Sequence, residues 1–138
     1  MQENSSHILV GGIFTHLVNN FVVKSHHIWT KNDFGGSIGA HRSMPYMIFS
    51  KRETRPWRSV TFEGGHHRIW LEVYCGEVSL KQAKLYALDI IDALHGADFP
   101  LKGHALIEIQ HDQAEYIKLA DKNEFLVRLL FTVLTVAD

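Results

Sequence analysis

Ten histidines among 138 residues invite a metal hypothesis. Their spacing argues against one. His26-His27 and His66-His67 are adjacent pairs, and neighbours on a strand point to opposite faces, so neither pair chelates one ion. The sequence has no H-E-x-x-H and no H-x-E…C-x-x-C pattern. What stays open is a site assembled in three dimensions from His66, His104 and His111, which fall near strand starts or ends; it would make the chain a metal-dependent enzyme. The plainer reading is polar strand-end and loop histidines that titrate near neutral pH and do nothing specific. Cys75 is the only cysteine, so no intrachain disulfide forms. It stands on the apolar side of a strand, which predicts a small buried hydrophobe and not a nucleophile. Asp89 and Asp92 have helical spacing but fall on the outer side of their helix, the place of a solvated surface. Gly64-Gly65 has no phosphate-loop context and reads as a turn. Lys51, Arg52, Arg55 and Arg58 cluster around Trp57. Basic plus aromatic is a footprint of single-strand nucleic-acid binding, a solvated hairpin turn is the ordinary reading, and Trp with Arg also anchors protein interfaces. The interface reading ranks ahead of nucleic acid. No catalytic, metal or cofactor residue is assigned.

The elements that position these residues are legible in outline. One chain of this length buries one core, and 46% hydrophobic with 21% charged residues is the balance of a folded domain and not a disordered one. A net charge of -1 gives no bulk attraction to nucleic acid or anionic membrane. The first 25 residues lack the layout of a signal peptide and no apolar stretch reaches the roughly 20 residues of a membrane span, so a soluble protein made in the cytoplasm is expected. Ile8, Leu9, Ile13, Leu17 and Phe21 behind Ser5-Ser6 predict a helix in residues 1–24, weakened by Gly11-Gly12. Residues 25–43, with Gly35, Gly36 and Gly39 near Asn32, Asp33 and Ser37, predict a long loop. The core then fills 44–138, a single domain over 1–138.

Within that core, 46–49 reads as a short strand and the alternation around Trp57–Phe62 as a second. In the third, Ile69, Leu71, Val73 and Cys75 face one way and Arg68, Trp70, Glu72 and Tyr74 the other. Ser79-x-x-Gln82 opens a helix as a capping box. Leu80, Ala83, Ala87, Leu88, Ile91 and Leu94 stripe it, and Gly96 closes it. Ala105–Gln110 alternates as a fourth strand, Asp112–Asn123 is polar and reads as a turn or short excursion, and Phe125–Val136 is apolar on both faces, as in a central or partner-covered strand. The sum is α+β: a single antiparallel or mixed sheet of about five strands with two main helices packed on one face.

The ordered set Pro45-Tyr46-Met47-Ile48, Trp57-Arg58-Ser59, Glu63–Tyr74, Ala93-Leu94-His95-Gly96, Leu101-x-Gly103-His104-x-Leu106 and Phe125–Thr135 with Arg128 resembles the phage tail completion family of tailed phages, prophages and gene transfer agents. The resemblance spans 45–136; the first 44 residues match only as a helix and a variable loop. It implies a tail terminator: a homo-oligomeric ring, typically hexameric, that caps the head-proximal end of the tail tube and joins it to the head connector. The implied partners are further copies of the chain, the tube protein and the connector's stopper, with DNA passing through unread and no membrane. The implied location is the tail of the particle. A stopper or a tube subunit is the alternative, although tube subunits carry a long stacking hairpin for which 51–63 looks too short. The family is not catalytic. Ring contacts in it are heterologous, and the candidates here are Trp57, Arg58, Trp70, Tyr74, Arg128 and Leu130.

Overall fold

The computed structural model describes residues 2–20, 44–58, 63–119 and 124–137; the expected long loop at 25–43 lies outside them. The elements are helix α1 (Gln2–Asn20), strands β1 (Tyr46–Arg58) and β2 (Glu63–Gly76), helix α2 (Leu80–Leu94), and strands β3 (His104–Leu119) and β4 (Glu124–Ala137). The strands form one antiparallel sheet in the order β1-β2-β4-β3. α2 carries the chain from β2 to the far edge, and β4 returns between them. Both helices lie on the same face, α1 against β1 and β2, α2 chiefly against β3 and β4, and they touch each other. The α+β class and the placement of the helices agree with the sequence; the described residues form four strands and not about five.

The missing strand is a merger. β1 takes in the expected strand at 46–49 and the start of the one at 57–62, whose residues 59–62 lie outside the described ones, and a bulge between Phe49 and Lys51 resets its alternation. An extra residue on one strand flips every later side chain to the other face, so one bulged strand reads in sequence as two strands with a basic turn between. Gly64-Gly65 is likewise no turn; both glycines are paired within β2. The polar stretch after Asp112 continues β3 to Leu119. It is polar because β3 is an edge strand with one uncovered face.

β4 is apolar on both faces because it is central. Val127, Leu129, Phe131 and Val133 join Ile69, Leu71 and Val73 of β2 beneath Leu9, Ile13 and Leu17 of α1 and Ala83, Ala87, Ile90 and Leu94 of α2. Each large side chain buried there contributes about 1.5–3 kcal/mol. The helix α1 already runs through Ser5 and Ser6, so neither is its N-cap. Gly12 is a packing notch, since a Cβ there would stand 2.5 Å from Leu101 Cδ2. Across the helix pair, the His16 ring donates from Nε2 to Ala93 O at 2.9 Å and stacks on Phe99.

α2 begins and ends as expected. Ser79 Oγ accepts from Gln82 N at 3.1 Å, and Gly96 takes a left-handed φ of 70° while its N–H donates to Ile109 O. Its buried stripe is rotated from the expected one: Leu80 and Leu88 are exposed, whereas Asp89 is buried. The solvated reading of Asp89 is therefore overturned: the residue is buried and is not without a partner. Asp92 is exposed. No helix of the described residues is long and apolar enough to cross a membrane.

Candidate functional site

The sheet face away from the helices gathers the side chains that sequence reasoning singled out. Strand register builds it in rows. Tyr46, Tyr74, Leu126 and Ile117 stand in one row, Glu72, Arg128 and Glu115 in the next, and Lys51, Trp70, Leu130 and Gln113 in the third. Period-2 alternation on β2 puts Arg68, Trp70, Glu72 and Tyr74 together there. Register with β4 adds Arg128 and Leu130.

Charge holds the middle row. Arg128 reaches Glu72 Oε2 through Nε at 3.1 Å and Nη2 at 3.0 Å, and its Nη1 lies 3.9 Å from Glu115. Glu72 is only 7% exposed. A carboxylate that deep persists where a cation and hydrogen bonds replace its water, and Arg128 supplies both.

Aromatics flank the charges. Tyr46 and Tyr74 stack at 5.0 Å between ring centroids, and burial, reinforced by Glu72 and Tyr46, raises the Tyr74 pKa above its ordinary value. The half-buried Trp70 carries Lys51 Nζ and the Arg68 guanidinium, each 4.9 Å from its ring centroid. Leu130 is 6% exposed within the single chain and has little surface left to offer a partner. At the other end of the face Trp57 lies over Gly64, its indole N–H donating to Gly65 O at 3.1 Å and Thr135 O at 3.3 Å. Arg58 ends β1.

His67 was not anticipated. It is fully buried on the helix side between two hydroxyls, with Thr54 Oγ1 2.9 Å from Nδ1 and Thr135 Oγ1 2.9 Å from Nε2. One ring nitrogen donates and the other accepts, so the ring cross-links three strands as the neutral imidazole. Burial first, then the charges of His66 and His104, push its pKa down to about 4. The reading of every histidine as a loosely placed group titrating near neutrality fails here. The signal was present: residue 67 extends the buried register 69, 71, 73, 75 by one step. Glu72 had a comparable signal, an acid between two aromatics at i−2 and i+2.

The low His67 pKa fixes a sign. Above pH 6.5 the ring is neutral folded and unfolded; between about 6.5 and about 4 only the unfolded chain takes the proton, so stability is lost as the pH is lowered through that window. The expected slope from this group is up to about 1.4 kcal/mol per pH unit. Urea unfolding at pH 7 and pH 5 should show a larger acid loss for the native chain than for His67→Gln. Equal losses would refute the assignment.

The remaining chemical candidates are dispersed. Burial pushes the Cys75 thiol up to about 12, unfit for nucleophilic work. His66 stands on the outer-face register of β2, whereas His111 packs its ring on Phe131 on the other side, and its backbone N–H donates to His95 Nδ1. Among the described residues no three His, Cys, Asp or Glu side chains converge as metal ligands.

A sheet covered by helices on one face and carrying ordered aromatics and ion pairs on the other defines a small α+β protein with a structured outer surface. The sequence profile described as "Tail completion protein gp17" matches residues 28–136, and the chain belongs to that family. The match includes residues 28–44, ahead of the 45–136 that the motifs carry. The chain is thus a structural protein of a phage-type tail. A chain of the solved structure titled "Virion of native gene transfer agent (GTA) particle" shares the fold, with a TM-score of 0.79 over 94% of this chain and 95% of its own, at 16% sequence identity. No curated protein matches the sequence.

Proposed function

We propose that the protein is a tail terminator: a homo-oligomeric ring, hexameric in its expected form, that caps the head-proximal end of the tail tube and meets the stopper of the head connector. It acts by binding and performs no catalysis; DNA passes through the ring unread. The observation that carries the reading, beside family membership, is the ordered outer face. Trp70, Tyr74 and Trp57 are held half-buried on paired strands, as anchors of an interface are. The stopper is the sibling alternative. The tube reading, which needs a free stacking hairpin, loses ground for a reason other than length. The β1–β2 hairpin is longer than expected, but β2 is bound to β4 from Gly64 to Gly76.

Trp70→Asp tests the reading. It is expected to weaken self-association and capping of purified tail tubes by at least about tenfold, while unfolding stability changes by about 1 kcal/mol or less. Sedimentation and electron microscopy of tube ends read the first, urea unfolding the second. Unchanged oligomers and unchanged capping would remove Trp70 from the interface. Leu130 is less suited to this test, because a charge at a buried position acts on folding first.

A further inference from the structure

The two edges of the sheet carry opposite charge. β1, one edge, exposes Lys51, Arg52 and Arg55 against the one acid Glu53; β3, the other edge, exposes Glu108, Asp112 and Glu115 against the one base Lys118. The net charge of the whole chain is -1, so this is segregation and not excess. Both edges are also poor templates for backbone pairing. β1 holds Pro56, which has no N–H, and a bulge at Phe49/Lys51; β3 has bulges at Leu106/Glu108 and His111/Gln113. Two copies therefore cannot zip these edges into one continuous ladder, and side-chain charge is left to select the contact.

We infer that, in the ring proposed above, the basic β1 edge of one copy docks against the acidic β3 edge of the next. A two-fold dimer would bring β1 to β1 or β3 to β3 and set like charges together. A head-to-tail contact sets opposite charges together and leaves one free edge of each sign, which is what ring closure requires. Lys51, held over Trp70, links this edge to the outer face, so the incoming β3 edge covers the Trp70 patch. The inference rests on the ring reading and adds the partner's surface and the polarity of the contact.

Charge reversal on purified tubes lacking this chain tests it. One variant carries Arg52→Glu and Arg55→Glu, a second Glu108→Lys and Asp112→Lys, a third all four; none touches the Glu72–Arg128 pair. Each edge variant alone should assemble at least about tenfold more weakly than the native chain. An equimolar mixture of the two should recover assembly, which a misfolded variant could not do. The fourfold variant should assemble with itself and not co-assemble with labelled native chain. If the native chain caps tubes and both edge variants cap them equally well, the edge assignment is wrong and the ring reading stands. If the native chain neither self-associates on tubes nor caps them, both fall.

Discussion

Arg128→Ala is expected to lower the unfolding free energy by about 3 kcal/mol. The reason is the carboxylate left behind. Glu72 sits 7% exposed with two hydrogen bonds from one guanidinium on Oε2, and without them it is a buried charge facing Trp70 and Tyr74 with no cation beside it. Arg128 itself keeps 38% of its side-chain surface, which holds the expectation at the low end of the range for buried pairs. The same exposure makes the pair asymmetric. Glu72→Leu leaves Arg128 with water and with Glu115 at 3.9 Å, and should cost about 1 kcal/mol. The double variant Glu72→Leu with Arg128→Met replaces the pair by apolar contact and should return to within about 1 kcal/mol of the native chain. Urea unfolding of the four proteins closes the cycle. If Arg128→Ala and Glu72→Leu cost the same, Glu72 is better hydrated than the geometry indicates.

That pair also shows what the sequence could and could not reveal. Alternation on β2 placed Glu72 between Trp70 and Tyr74, and the family pattern picked out Arg128, but only strand order set them opposite each other. α2 was legible because its signals are local: a serine cap, a glutamine three residues on, and a glycine in a left-handed turn. The central position of β4 was legible because burial on both faces leaves a solid apolar run. Failures occurred where one local signal has two physical causes. A bulge in β1 and an edge position in β3 each mimic a turn, the first by breaking the alternation and the second by leaving one face polar and uncovered. The phase of α2 was misread because Asp89 is buried with its partner, and helix periodicity in sequence counts every acid as outside.

Gly64→Ala is expected to destabilise the fold by about 2–3 kcal/mol, and this prediction separates two meanings of glycine. A turn glycine is required by its backbone, yet Gly64 takes no left-handed φ and is paired within β2. It is required by a neighbour: an added Cβ would lie 2.4 Å from Trp57 Nε1 and 2.7 Å from Trp57 O. The indole cannot swing aside without giving up its bonds to Gly65 O and Thr135 O, and the carbonyl belongs to the partner strand. Removing the ring should therefore relieve only part of the strain. Trp57→Ala in the Gly64→Ala background should cost less than in the native background, a coupling of about 1–2 kcal/mol. Gly11 supplies the opposite control, since nothing lies within 4 Å of a Cβ there. Gly11→Ala should gain about 0.5–1 kcal/mol from helix propensity alone. Opposite signs at Gly11 and Gly64 in the same urea unfolding experiment would establish that β2 keeps its glycine to seat Trp57 on the outer face. A neutral Gly64→Ala would mean that Trp57 is not fixed there, and would withdraw it from the assembly surface.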